Sequence, residues 1–232
     1  MPPGSLRVLT WNLFHGRAVP PAGRPLLDEF AHALASWAWD VALLQEVPPW
    51  WPPSLAAAAG AEHRMVLTSR NALLPVRRAL AERWPDLIKS NGGGSNAILV
   101  RGGPIREHRA WRLRRWPERR FVHAVRADGM PSIANLHASQ DRRNRPEADL
   151  RRAAQLLADW EPLVLGGDLN QRAPALPGFR RAAGHSVDHV LTRALEPEGP
   201  GETLPGGRLS DHAPLVVTLG EGGARSERPP YR

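Results

Sequence analysis

Six short apolar runs in this chain stop on, or start from, a polar side chain instead of an ordinary turn former. "LRVLTWNL" (6–13) carries Asn12, "DVALLQEV" (40–47) carries Glu46, and "PSIANLHAS" (131–139) carries His137. "PLVLGGDLN" (162–170) delivers Asp168 and Asn170, "SVDHVLT" (186–192) contains Asp188, and "RLSDHAPLVV" (208–217) sets Asp211 and His212 just before the last run. Apolar runs of this length bounded by turn signals read as buried strands. A chain that repeats the pattern must stack its strands into sheets, and strand ends are where binding and catalytic groups gather.

Helical stretches lie between the strands. "PLLDEFAHALASW" (25–37) has apolar residues at helical spacing. "PPWWPPSLAAAAG" (48–60) is a Pro-broken turn leading into a short helix, and "LPVRRALAERWPDLI" (74–88) is helical in part. "EADLRRAAQLLADW" (147–160) is the clearest amphipathic helix. "HRMVLTSR" (63–70) and "SNAILVR" (95–101) read as strands. "FVHAVRAD" (121–128) pairs with the run at 131–139 around the turn at Asp128-Gly129. "NGGG" (91–94) is a flexible turn, residues 193–208 are a Gly/Pro-rich loop, and 220–232 is a flexible tail. Helices between strands mixed with strand–strand hairpins indicate an α/β or α+β sandwich over a doubly wound sheet. With no repeat and no composition break, residues 1–219 form one domain.

The 232 residues suffice for one sizeable core. No apolar run approaches the roughly 20 residues that span a bilayer, and "MPPGSLRVLTWN" lacks the regions of a signal peptide. Cysteine is absent, which excludes disulfides and thiolate metal sites. The cytoplasm is the expected location and a monomer the expected state. The net charge of +8 comes from arginine, since Lys89 is the single lysine. Arginine forks suit phosphate, although an Arg-, Ala- and Pro-rich genome would produce the same bias.

Taken together, the polar set has three Asp, one Glu, two Asn and two His. Carboxylate and carboxamide oxygens suit a hard divalent cation, and imidazoles suit proton work, so the composition is that of a phosphoester site. Each residue alone has a plainer use. Asp168 and Asn170 can form an Asx turn, "SDH" can cap a helix, and Asn12 or Glu46 can close a strand.

The ordered set "LTWNL", "LLQEV", "NLH", "GGDLN", "VDHV" and "LSDHAPLVV" resembles the endonuclease/exonuclease/phosphatase superfamily, over nearly the whole chain. The resemblance implies an α+β fold, a four-layer α/β/β/α sandwich of two mixed β-sheets, with the site where the sheets open at one edge. It implies metal-dependent hydrolysis with Mg²⁺, for which Mn²⁺ can substitute. Glu46 would be the main metal ligand, with Asn12 beside it and Asp211 close by. Asp168 would orient or deprotonate water, and Asn170 would hold the phosphate and the nucleophile. His212 would contact a phosphoryl oxygen with its tautomer fixed by Asp188, and His137 would assist the leaving oxygen. Some relatives orient that first histidine with a Glu before the middle strand. Here the stretch reads "GGGSNAILV", with Gly or Ser in the acid's place. Asn96, at the start of that strand, is a candidate phosphate contact or a strand-end cap.

Three more histidines have plainer readings. His15, in "NLFHG", could line the cleft, but a loop histidine without a visible partner reads as structural or solvated. His189 should point away from Asp188 and pack. His123, in "FVHAV", should lie on the sheet surface.

Substrate class rests on "REHRAWRLRRWPERR" (106–120), where arginines interleave with Trp111 and Trp116. Such a segment suits a phosphate backbone and unstacked bases. Equally, it suits a solvated hairpin with its tryptophans packed on the sheet. Arg119 or Arg120 matches an arginine that contacts phosphate in nuclease relatives, and "SQDRRNRPEADLRR" (139–152) adds a second basic stretch. A nuclease acting on nucleic acid is the first expectation. A phosphatase or phosphodiesterase of small-molecule or lipid phosphoesters is the second, and a non-catalytic nucleic-acid-binding module the third.

Overall fold

The computed structural model describes residues 4–69, 71–87, 94–140 and 145–221. Apolar runs become strands and the helical patterns become helices, in the order β1 (Leu6–Asn12), α1 (Leu27–Ser36), β2 (Val41–Val47), α2 (Pro52–Ala59), β3 (Glu62–Leu67), α3 (Leu74–Arg83), β4 (Ser95–Val100), β5 (Ile105–Arg114), β6 (Arg120–Ala127), β7 (Ser132–Leu136), α4 (Arg145–Leu156), β8 (Leu163–Asp168), β9 (Arg180–His185), β10 (Asp188–Arg193), β11 (Leu195–Pro197), β12 (Glu202–Thr203) and β13 (Leu215–Glu221).

Two mixed sheets result. The first runs β11-β13-β1-β2-β4-β3, with β12 also on β13, and the second runs β5-β6-β7-β8-β10-β9. Each contains one parallel pair, β1 with β2 and β7 with β8, and each pair is joined through a helix, as parallel strands require. Alternation along the strands feeds three apolar layers. On β1, Val8 faces the space between the sheets with Leu43, Ile98, Val125, Ile133 and Val164, while Leu9 and Trp11 face outward onto Phe30, Leu34 and Leu55 of α1 and α2. The outer face of the second sheet packs Val122, Ala134 and Leu165 against Leu150, Ala153 and Leu157 on and just beyond α4. The expected α/β/β/α sandwich is therefore present. Strands covered on both faces read as near-continuous apolar runs, and each fully buried Leu or Phe contributes about 1.5–3 kcal/mol.

A polar clasp crosses the inter-sheet layer. Gln45 Nε2 donates to Asn135 Oδ1 (2.9 Å), and Asn135 Nδ2 donates to the carbonyls of Leu44 and Ala97 (2.9 Å each). Both residues are fully buried, so losing either would strand a desolvated partner. This fixes the spacing of the sheets beneath the strand ends that form the site.

Several expectations change. The loop at 193–208 contains two short strands, β11 and β12, which pair with β13 instead of with each other. β9 carries no apolar pattern and exists as an edge strand on β10. β13 continues through Glu221, so Gly220 and Glu221 belong to the sheet and the expected tail from 222 on lies outside the described residues. Residues 91–93 and 141–144 also lie outside them. His123 is not on the surface: it is fully buried, its Nδ1 3.3 Å from His108 Nε2, with burial, then His108, lowering its pKa to about 3. Its strand is covered on both faces, so alternation there does not produce a wet side. His189 packs as expected, buried with Nε2 2.7 Å from the Gln171 carbonyl.

Candidate active site

Register brings the polar strand ends to one edge. Asn12 ends β1 opposite Gln45 of the parallel β2, and Asp168 ends β8 directly opposite Asp188, the first residue of the antiparallel β10. β13 runs antiparallel to β1, so the Asp211-His212 segment before it reaches the same edge. The resulting cleft encloses about 380 Å³ and is lined by Asn12, His15, Glu46, Arg119, Arg120, His137, Asp168, Asn170, Asp211 and His212 among others. Asp188 sits behind His212. Asn96 is buried and is not part of the lining; among the described residues neither of its amide atoms has a hydrogen-bonding partner.

Asp168 is the hub. Its Oδ2 accepts from Asn12 Nδ2 (3.0 Å) and lies 3.4 Å from His137 Nε2 and 4.0 Å from His212 Nε2. Its Oδ1 accepts from the Asn170 backbone N–H (3.0 Å), which is an Asx turn. The turn and a position in the cleft therefore coexist in "DLN". Asn170 turns left-handed (φ 51°) and its Nδ2 is tied to the Ala138 carbonyl (2.9 Å), so both side chains reach the cleft although the strand geometry has ended, while Leu169 turns into the core. Gly167 has φ 139°, and a Cβ there would lie 1.9 Å from the Leu136 carbonyl oxygen; a Cβ on Gly166 would strike Leu43. The glycine pair serves close strand and sheet packing.

Burial first, and Asp188 second, raise the Asp168 pKa to about 6. His212 is the complement. Burial works against its charge, but the 2.7 Å contact of Nδ1 with Asp188 Oδ2, helped by Asp168 and Asp211, outweighs that and raises it to about 9. A protonated His212 with Nδ1 held by Asp188 presents Nε2–H to the cleft. His137 is held neutral, its pKa pushed well below the usual value by burial and then by Arg120, His212 and His15. Ser95, at the start of β4, donates to the Val47 carbonyl (2.9 Å).

The "LSDH" segment forms no helix. Ser210 (φ 66°) donates to the Asn12 carbonyl (2.6 Å) and accepts from the His212 N–H (3.1 Å), and Trp11 Nε1 donates to the His212 carbonyl. Ser210 thus latches the His212 loop to the end of β1, a role not visible in sequence. Asn12 has a bridging part: besides Asp168, its Oδ1 accepts the Phe14 N–H (2.9 Å). It joins the first sheet to the second.

Glu46, also left-handed (φ 51°), lies 3.1 Å from His15 Nε2 and 4.0 Å from His137 Nε2. His15 is therefore a wall of the site and not a solvated loop residue; its signal in sequence was position alone, three residues after Asn12. Ligand atoms of Asp168, Asp188 and His212 lie within 4.8 Å of one another, a set able to hold a metal ion.

The basic segment divides. Four of its seven arginines pair within the fold, Arg106 with Asp128, Arg109 with Glu107, Arg114 with Asp149 and Arg120 with Glu118. Trp111 packs edge-on to Trp160 beneath the sheet. Trp116, at the tip of the β5–β6 hairpin, is 78% exposed. Exposed Arg115 and Arg119 line a groove beside it with Ser69, Pro117 and Glu118, and Ser69, Glu118 and Arg119 also line the main cleft.

This geometry coincides with a family match. Residues 9–212 match the sequence profile of the endonuclease/exonuclease/phosphatase family, a span that includes every cleft residue named above. The chain belongs to this family. It is accordingly a phosphoesterase of the hydrolase class with a donor set for a metal. Similar solved structures include an endonuclease/exonuclease/phosphatase from Beutenbergia cavernae DSM 12333 (22% identity, TM-score 0.74, covering 95% of this chain and 72% of that one). Others are TDP2 from Caenorhabditis elegans (16%, 0.64, 93% and 74%) and the human Nocturnin catalytic domain with bound sulfate (16%, 0.65, 94% and 94%). At these identities they share the fold. No curated protein sequence matches significantly. No helix among the described residues is long and apolar enough to cross a membrane.

Proposed function

We propose that the protein is a Mg²⁺-dependent phosphodiesterase that cleaves nucleic-acid strands by in-line attack of water. The observation that carries the reaction type is the pairing of a buried, ionisable acceptor, Asp168, with a protonated donor, His212, across one cleft. Asp168 takes a proton from water as its oxygen bonds to phosphorus and the ester P–O bond breaks. Asn12 and the Asn170 N–H hold the Asp168 carboxylate in place. His212 Nε2–H donates to a phosphoryl oxygen as charge builds there, and Asp188 keeps that imidazole charged. The ester oxygen departs beside neutral His137 with the electron pair of the broken bond and takes its proton from solvent, and Arg119 and Arg120 meet the phosphate.

The donor set fits a hard divalent cation. Glu46 lies against the imidazoles of His15 and His137, and Asp168 and Asp211 line the same cleft, an accumulation of carboxylates that favours a counter-cation. Glu46, with Asp211, would hold Mg²⁺ (or Mn²⁺), and Asn12 would stand beside it. The cation would neutralise the phosphodiester and stabilise its transition-state charge. The Asp168–Asp188–His212 group is better read as proton machinery, because an imidazolium at 2.7 Å from Asp188 competes with a cation for the same oxygen.

The nucleic-acid reading is supported by the hairpin rim, where exposed Trp116 stands with Arg115 and Arg119 beside the cleft. Bases stack on such aromatics and phosphates meet the guanidinium groups. The test is a panel of single- and double-stranded DNA and RNA oligonucleotides, small phosphodiesters and phosphomonoesters, each with Mg²⁺ or EDTA. Metal-dependent oligonucleotide cleavage is the expected result. Turnover of small or lipid phosphoesters alone would move the assignment to the second class. Binding of nucleic acid with no turnover of any substrate would make the protein a non-catalytic binder.

A further inference from the structure

We propose that His15 supplies an imidazole nitrogen to the cation position at Glu46, so that this site discriminates among divalent ions by nitrogen affinity. The inference rests on the reading of Glu46 as the cation residue and adds a ligand of a different chemical class.

The geometry carries it. His15 Nε2 is 3.1 Å from Glu46 Oε2. Two ligands at right angles on one octahedral ion, with bonds of ~2.1 Å, stand about 3 Å apart. The His15 side chain is only 9% exposed and points into the cleft.

The backbone is built to hold it there. Phe14 (φ 47°), His15 (φ 56°) and Glu46 (φ 51°) are all left-handed non-glycine residues. Such conformations are costly for residues with a Cβ and persist where the surroundings over-determine them. Those surroundings are specific here. The Leu13 N–H donates to the Gln45 carbonyl (2.8 Å), joining the turn to the strand beside Glu46, and the Phe14 N–H is held by Asn12. Gly16 follows with φ 76°, and a Cβ there would lie 2.3 Å from the Trp51 ring, so the turn is pressed against the core. The sequence "NLFHG" thus trades backbone comfort for one imidazole placed against one carboxylate.

Carboxylate and water ligands suit Mg²⁺, whereas imidazole suits later first-row ions and its contribution grows along the series from Mn²⁺ to Ni²⁺. His15 should therefore matter little for Mg²⁺ and increasingly for Co²⁺. The test is binding of Mg²⁺ and of Co²⁺ to the full chain by calorimetry, with the visible Co²⁺ spectrum as a second readout; the chain has no cysteine to contribute to it. His15→Ala and His15→Asn are compared with wild type, since asparagine tolerates the left-handed backbone. Both variants should weaken Co²⁺ by about tenfold or more and alter its spectrum, with Mg²⁺ changed less than about twofold. Unchanged Co²⁺ affinity would overturn the proposal. So would an equal loss for both ions, which is what a residue that only aims Glu46 would produce. Glu46→Gln separates the two levels of the argument: it should weaken both ions, and if it weakens neither, the cation assignment to Glu46 itself fails.

Discussion

Asn12, His15 and Glu46 come from the sheet that holds β1 and β2, whereas His137, Asp168, Asn170 and Asp188 come from the sheet that holds β7, β8 and β10. The two contributions differ in kind. On the second sheet the Asp168, Asp188 and His137 side chains are 2–7% exposed, and burial has moved Asp168 up and His137 down. On the first, Asn12 is buried too and the His15 side chain is 9% exposed, but the Glu46 side chain is 22% exposed and lines the cleft. A dry environment makes protonation states selective, and a wetter one lets ions and ligands exchange. His212 links the halves: it precedes β13 of the first sheet but takes its charge from Asp188 of the second.

This division ranks the expected mutational effects. The largest should come from the dry half. His212→Ala removes a donor aimed at developing charge and should lower kcat by about 10²–10³-fold, with the circular dichroism spectrum unchanged. Asp168→Asn should abolish most turnover and also change stability in a pH-dependent way. The folded pKa of Asp168 is about 6, above its unfolded value of 3.8. The folded state therefore binds this proton more tightly, and the stability it confers is present below the unfolded value and lost as pH rises through about 6. The Tm of Asp168→Asn relative to wild type should accordingly climb between about pH 4 and pH 6.5. A flat difference would mean that Asp168 does not titrate there.

Next is Asp188→Asn. Ionised Asp168 and protonated His212 together give a kcat/KM profile that rises through about pH 6 and falls through about pH 9. Asp188 raises both pKa values, so its neutral replacement should shift both limbs to lower pH. Movement of one limb alone would separate groups that the geometry couples. The smallest effect should lie at the rim. Trp116→Ala should raise KM for single-stranded oligonucleotides by about tenfold, the low end of a base-stacking contact, with kcat and small-phosphodiester hydrolysis unaltered.

The same contrast explains what was legible in the sequence. The apolar runs announced β1, β2, β4, β7, β8, β10 and β13 because those strands are buried, and the polar residues at their ends marked the cleft. β9 is not legible because "RRAAGH" has no strong apolar pattern: it pairs with β10 and buries only the small Ala183 in the inter-sheet core. The burial of His123 is not legible because alternation marks a wet face only where one face is wet. The place of His15 is not legible because its partner Glu46 lies 31 positions away on another strand end, and pairing of that kind is a tertiary fact. Trp111 and Trp116 looked alike in one basic stretch, yet a turn separates them, one under Trp160 and one in solvent. In "GGDLN" the Asx turn is what presents Asp168 and Asn170 to the cleft.

A grid of kcat/KM against Mg²⁺ concentration and pH, for wild type, Glu46→Gln and Asp188→Asn on one oligonucleotide, distinguishes the cation half from the proton half in a single experiment. Glu46→Gln should shift the Mg²⁺ half-saturation upward by about tenfold or more and leave the pH limbs in place, and Asp188→Asn should do the reverse. If Glu46→Gln moves the pH limbs while the Mg²⁺ requirement stays fixed, or Asp188→Asn changes the Mg²⁺ requirement alone, the division of labour between the two sheets is wrong.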